Sequence, residues 1–157
     1  MRAAVLTVSD RASAGRLTDE SGPAVERLLR GAGFEVDPVA VVPDEVERIA
    51  GFLLASCEDH DLVVTSGGTG LGPRDRTPEA TRGLLDYEVP GLAELMRSAG
   101  FAKTPLAALS RSLAGVRGRT LIVNLPGSVK GATESLEAIL PVLGHAVRLL
   151  KGETEHR

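Results

Sequence analysis

The residues of this chain best equipped for chemistry lie in one short stretch, Thr65-Ser66-Gly67-Gly68-Thr69-Gly70-Leu71-Gly72-Pro73-Arg74-Asp75. Glycines let the backbone approach a ligand closely and adopt positive φ. Successive peptide N–H groups in such a turn form an anion-binding nest. The hydroxyls of Thr65, Ser66 and Thr69 add donors, and Arg74 can pair with a phosphate. Read this way, Thr65, Ser66, Gly67, Gly68, Thr69, Gly70 and Arg74 cradle the phosphates of a nucleotide. Asp75 suits such a cradle only if a metal ion lies between acid and phosphate. The competing reading is a glycine-rich turn with Arg74 and Asp75 in solvent.

Polar residues gather in two further places. Ser9-Asp10-Arg11-Ala12-Ser13 follows the apolar run Ala3 to Val8, and Asn124-Leu125-Pro126-Gly127-Ser128 follows Thr120 to Val123. Asp44, in Pro43-Asp44-Glu45, is read first as the N-cap of a helix, because Asp favours that position.

The elements that carry these segments follow from periodicity. Ala3–Val8, Phe34–Val42, Asp61–Thr65 and Thr120–Val123 read as strands, with Pro38 placing the second at an edge. Ser21 caps a helix with Pro23 in its first turn. Val46, Ile49, Ala50, Leu53, Leu54 and Cys57 form one helical stripe, which makes Cys57 a core residue. Thr77-Pro78 opens a helix running to about Tyr87. Pro90 opens another that Gly100 interrupts, and Thr104 caps a shorter one towards Leu109. Ser110-Arg111-Ser112 and Arg117-Gly118-Arg119 read as irregular. A last helix runs from Val129 to Leu150, with a kink or split at Pro141, and a frayed tail follows from Glu153. Alternating strands and helices predict a single α/β domain, residues 1–157. Its mostly parallel sheet carries helices on both faces in three layers. Parallel topology brings Ser9-Asp10-Arg11, Thr65 to Asp75 and Asn124 to Ser128 to one edge. Asp44 can reach the same edge.

Composition narrows the function. The chain has 157 residues, 43% hydrophobic and 25% charged, an ordinary soluble composition. Aromatics are 3% with no Trp, which argues against base stacking. A net charge of −3 without a basic run argues against nucleic acid. No apolar run approaches a membrane span, and the amino-terminal run is too short for a signal peptide. One cysteine fits a reducing, cytoplasmic setting. His60, His145 and His156 share no spacing and read as structural or exposed. Two generic nucleotide motifs fail: no lysine follows the glycines as a P-loop requires, and Pro73 stands where a dinucleotide fingerprint needs its last glycine.

Thr65 to Gly70 and Pro73 to Thr81 together resemble the signature of molybdopterin adenylyltransferases, the MoaB/Mog-type proteins of molybdenum-cofactor synthesis related to the G domain of gephyrin. Ser9–Ser13, Pro43–Glu45, Leu109–Ser112 and Asn124–Gly127 continue the resemblance over roughly Val5 to Gly152. It implies Mg²⁺-dependent transfer of AMP from ATP to molybdopterin, with release of pyrophosphate. It also implies Asp75 and Asp44 as catalytic and metal-binding acids, which outweighs the helix-cap reading of Asp44. Ser9, Asp10, Ser110, Arg111, Asn124, Pro126, Gly127 and Ser128 become the substrate-binding residues, partly around the pterin. A homotrimer or hexamer and a downstream molybdenum-insertion protein are the implied partners. Two alternatives stay open: a molybdopterin-binding paralogue without turnover, and a competence-damage-type pyrophosphatase on the same fold.

Overall fold

The computed structural model describes residues 1–154, so the expectations for His156 and the end of the tail lie outside the described residues. In chain order the elements are β1 (Arg2–Val8), α1 (Asp10–Ser13), α2 (Ser21–Gly31), β2 (Glu35–Val36), β3 (Ala40–Val42), α3 (Val46–Ser56), β4 (Leu62–Ser66), α4 (Thr77–Arg82), β5 (Tyr87–Glu88), α5 (Pro90–Phe101), a 3₁₀ turn (Pro105–Leu109), β6 (Ala114–Arg117), β7 (Thr120–Leu125) and α6 (Val129–Leu150). They form one sheet in the order β2-β1-β4-β7-β6-β5, with β3 also pairing β1. The pairs from β2 and β3 through β1 and β4 to β7 are parallel, while β6 is antiparallel to both β7 and β5.

β4 and β7 are buried along their whole length, as are residues 3–8 of β1. Strands covered on both faces read as continuous apolar runs, which is why these three are plain in the sequence. On one face α2, α5 and α6 pack Val25, Leu29, Met96, Leu136, Ile139 and Leu143 against Val5, Val64 and Val123. On the other, α3 and α4 pack Ile49, Leu53 and Ala80 against Leu6, Val63 and Ile122. The three layers are as expected. Truncating a fully buried residue such as Leu136 to Ala costs about 2–5 kcal/mol.

Several local expectations are corrected. The second strand is two short pieces on either side of Pro38, which cannot donate to the ladder. The cap position of α3 is Glu45, so Asp44 lies outside the helix and its carboxylate is not a cap. Ser21 and Thr77 are the first helical residues of α2 and α4, not their caps. Asp19 instead accepts from the Gly22 N–H at 3.1 Å. α4 stops at Arg82, and Tyr87–Glu88 and Ala114–Arg117 are strands. Gly118, at φ +60°, turns β6 into β7 where an irregular loop was expected. α5 runs through Gly100, where a Cβ would sit 2.9 Å from Ala107 Cβ, so the glycine allows close packing of the 3₁₀ turn. α6 continues unbroken through Pro141, since Pro141 and Glu137 are on its exposed side and water can satisfy the freed carbonyl.

Candidate active site

Register places the carboxyl ends of the parallel strands side by side: Thr7 is level with Ser66, and Ser66 with Leu125. The chain then bends sharply. Gly67 and Gly68 adopt φ +101° and +70°, and a Cβ on Gly67 would lie 2.2 Å from the Val8 carbonyl oxygen. The glycine loop therefore crosses directly over the end of β1, which no other residue type permits. Gly67 N–H donates to the Leu125 carbonyl (3.0 Å), tying the loop to the end of β7. From the loop's far side, Thr77 Oγ1 donates to the Gly67 carbonyl (2.9 Å), and Thr77 N–H to the Gly68 carbonyl (3.1 Å).

Two cavities open on this edge. One, of about 530 Å³, is lined by Ser9, Asp10, Asp44, Ser66 and Gly67 together with Asp19 and Glu20. The other, of about 430 Å³, is lined by Thr69, Gly70, Ser110 and Pro126 with Met96, Arg97 and Leu106. Gly68, Asp75, Gly127 and Ser128 line both and form the partition between them. Ser128 is also the N-cap of α6, accepting from the Gly131 N–H at 3.0 Å, so the positive end of a 22-residue helix dipole lies at the partition.

The first cavity is acidic. Asp10 N–H donates to Asp44 Oδ2 (2.9 Å), and Asp44 N–H donates back to Asp10 Oδ1 (3.0 Å). Arg74 grips both Asp10 oxygens, at 2.9 and 3.0 Å. The two acids diverge as a result. Arg74, then the Asp44 N–H, holds the Asp10 carboxyl below the usual carboxylate range. Burial, followed by the charges of Asp10 and Asp75, pushes Asp44 above it. Asp75 accepts from the Gly72 N–H (2.9 Å) across the loop. Among the described residues no group of three or more His, Cys, Asp or Glu is gathered as for an all-protein metal cage. Two carboxylates facing a cavity suit Mg²⁺, which fills its remaining positions with phosphate oxygens and water. A cation there would also offset the burial and the like charge that raise Asp44.

The cleft does not take every expected residue. Thr65 and Asn124 are fully buried behind the loop, where Asn124 Nδ2 donates to Thr65 Oγ1 (3.0 Å) and Thr81 Oγ1 (3.1 Å). β7 extends two residues further than its apolar run, carrying Asn124 into the core; neither Thr65 nor Asn124 lines either cavity. Arg74 spends its fork on Asp10 and lines neither cavity. Arg111 lies behind the loop, bonded to its carbonyls. Conversely, Asp19, Glu20, Met96, Arg97 and Leu106 line the cavities without having been singled out. Asp19 had a signal: an acid three residues before Gly22 at a helix start. Met96 and Leu106 look like any core residue and had none.

Several known proteins similar to this chain are named for molybdenum-cofactor or molybdopterin biosynthesis. The family model described as "Probable molybdopterin binding domain" matches residues 4–145. A molybdopterin adenylyltransferase of Helicobacter pylori (strain J99) is 42% identical over 154 residues, covering 94% of this chain and 86% of its own length. The Escherichia coli K12 molybdopterin adenylyltransferase is 39% identical over 153 residues, covering 94% and 77%. The crystal structure of the molybdopterin biosynthesis enzyme MoaB from Thermus thermophilus superposes with a TM-score of 0.91 at 59% identity, covering 96% of both chains. With its fold, its paired cavities and these relatives in agreement, the chain belongs to the molybdopterin-binding domain family of molybdenum-cofactor biosynthesis proteins.

Proposed function

We propose that this chain is a molybdopterin adenylyltransferase: it moves AMP from ATP onto molybdopterin and releases pyrophosphate. The observation that carries the proposal is the pair of cavities meeting at Gly68, Asp75, Gly127 and Ser128. A reaction joining two substrates needs two adjoining sites with the reacting atoms at their boundary. A phosphate oxygen of molybdopterin attacks the α-phosphorus of ATP, the bond to the bridging oxygen of the β-phosphate breaks, and pyrophosphate carries away the electron pair.

Each cavity has a task in this reading. The acidic cavity takes the polyphosphate together with a divalent cation held by Asp44 and Asp75. Mg²⁺ bound there supplies neutralisation of the polyphosphate and of the leaving pyrophosphate. Peptide N–H groups of Gly68 to Gly70 face the phosphates, while that of Gly67, expected to join them, is spent on the Leu125 carbonyl. The α6 amino terminus adds its positive end at the partition. The second cavity, with Met96 and Leu106 beside Ser110 and Ser112, offers apolar faces and hydroxyls to the pterin. Asp10 and Arg74 join the first loop to the glycine loop and so fix the width of the acidic cavity. A homotrimer or hexamer, a cytoplasmic setting, hand-over to a molybdenum-insertion protein and one domain over residues 1–157 belong to the same proposal.

The test is product analysis. Purified protein with ATP, MgCl₂ and molybdopterin is expected to yield adenylyl-molybdopterin and pyrophosphate in equal amounts by mass spectrometry and phosphate assay. Tight retention of molybdopterin with no pyrophosphate would make the chain a binding protein. Pyrophosphate formed without molybdopterin would make it a nucleotide pyrophosphatase.

A further inference from the structure

Arg111 is a charged side chain that the proposed reaction leaves without a task. It follows the 3₁₀ turn, in a segment without regular structure, yet each of its nitrogens is engaged. Its backbone N–H donates to the Thr69 carbonyl (2.8 Å) and its Nε to the Gly70 carbonyl (2.9 Å). Nη2 donates to the Asp75 carbonyl (2.9 Å), and Nη1 pairs with Glu79 in α4. One residue thus holds the glycine loop at its middle, holds the backbone of Asp75 at its end, and anchors both to the helix that follows. The segment carrying Arg111 is itself held from α5, where Arg97 Nη1 donates to the carbonyls of Ser112 (2.7 Å) and Ser110 (3.3 Å).

This arrangement does not fit a substrate ligand. A guanidinium already shared among two carbonyls and a carboxylate has little left to offer a phosphate. It fits a brace. The loop from Gly70 to Asp75 has two bonds of its own in this region, Asp75 N–H to the Gly72 carbonyl (3.0 Å) and Gly72 N–H to the Asp75 carboxylate (2.9 Å), besides the Arg74 fork on Asp10. Leu71, Gly72 and Pro73 are exposed. Thr77 ties the chain two residues further on, but among the described residues Arg111 makes the only hydrogen bond from outside the loop to the Asp75 backbone itself.

We infer that Arg111 is a positioning residue: it sets the place of the Asp75 carboxylate at the boundary between the two cavities by clamping the carbonyls of Gly70 and of Asp75 itself. The inference rests on the adenylyltransferase reading. It also gives a physical reason for a planar, forked cation at this position. Lysine has the charge but only a single nitrogen, and cannot reach Gly70, Asp75 and Glu79 together.

The test compares wild type, R111A, R111K, D75N and the R111A/D75N double variant. R111A is expected to lower kcat about 10–100-fold, since misplacement by about 1 Å can cost on that order. Its KM for molybdopterin should move less than threefold. R111K should rescue little, and it stands in for R111A if that variant fails to fold. Because Arg111 acts through Asp75, removing Arg111 from D75N should cost less than threefold more. Without ATP or Mg²⁺, hydrogen exchange of peptides spanning Gly70 to Asp75 should be faster in both Arg111 variants. Additive losses in the double variant, wild-type kcat in R111K, unchanged exchange, or a loss confined to KM for molybdopterin would each overturn the inference. If the wild type makes no adenylyl-molybdopterin, the functional reading fails, and the exchange experiment still decides whether Arg111 braces the loop.

Discussion

The two ends of the sheet treat their acids in opposite ways. At the amino-terminal end Asp37, Asp59 and Asp61 are all matched. Arg2 pairs with Asp37 and Asp59, His60 lies 2.7 Å from both, and Lys151 pairs with Asp61. The hydrogen bond and charge of His60, then those of Arg2, hold the Asp37 carboxyl below its ordinary range. At the carboxyl-terminal end Asp10, Asp19, Glu20, Asp44 and Asp75 line one cavity. Among the described residues Arg11 is the only cation in its wall, and Arg74 outside it serves Asp10 alone. There burial and like charge push Asp44 up. Asp37 and Asp44 each follow a short edge strand, yet their ionised forms are favoured and disfavoured respectively. An acid that holds the fold together comes with its partner; an acid meant for a ligand waits for one outside the protein.

The contrast can be broken by exchanging charge at either end. The largest effect is expected at the partition. D75N should lower adenylyl transfer by about 10²–10³, the scale of one lost electrostatic contact in a transition state, with the fold retained. A rate within threefold of wild type would remove Asp75 from the mechanism. At the opposite end the effect should fall on stability instead. His60 is 7% exposed and lies between two carboxylates, so H60A removes hydrogen bonds to charged groups and should cost about 1–3 kcal/mol in denaturant unfolding. Its kcat should stay within twofold; a tenfold fall would mean that the two ends are coupled.

How much of this was legible in the sequence depended on range. β1, β4 and β7 each carry a continuous apolar run, and the stripe Ala132, Leu136, Ile139, Leu143 and Val147 of α6 announces itself at helical spacing. Gly67, Gly68, Asp75 and Gly127 were readable as a shared site, because parallel strands bring their following loops to one edge. What was hidden depends on partners far away in the chain. Asn124 looks like a loop residue until Thr65 and Thr81, 59 and 43 residues earlier, are seen to accept its amide. Arg74 looks like a phosphate ligand until Asp10, 64 residues earlier, occupies it. The β5–β6 pair is short, with Gly115 chosen for space, since a Cβ there would lie 2.4 Å from Leu85 Cδ1. Such a glycine reads as a loop.

A smaller effect sharpens the same comparison through pH. Asp37 has a depressed folded pKa, so its stabilisation is present at neutral pH and is lost as pH falls through and below the ordinary carboxylate range of about 4. Melting temperatures of wild type and D37N should therefore differ at pH 7 and converge on acidification. A constant difference from pH 7 to pH 3 would show that the Asp37 charge contributes nothing.

Asp44 has the opposite sign and offers the most direct test. Its folded pKa is raised, so stability falls as pH rises from the unfolded value through the folded one, and at neutral pH its charge works against the fold. Asn at this position can still accept the Asp10 N–H through its amide oxygen, while the repulsion with Asp10 and Asp75 disappears. The measurement is the melting temperature of D44N at pH 7, paired with its rate of pyrophosphate release at saturating ATP, Mg²⁺ and molybdopterin. We expect a melting temperature equal to or above that of wild type, together with a rate at least tenfold lower. A D44N protein that melts lower and turns over normally would mean that Asp44 serves the fold and that this edge of the sheet was not built for a cation and a nucleotide.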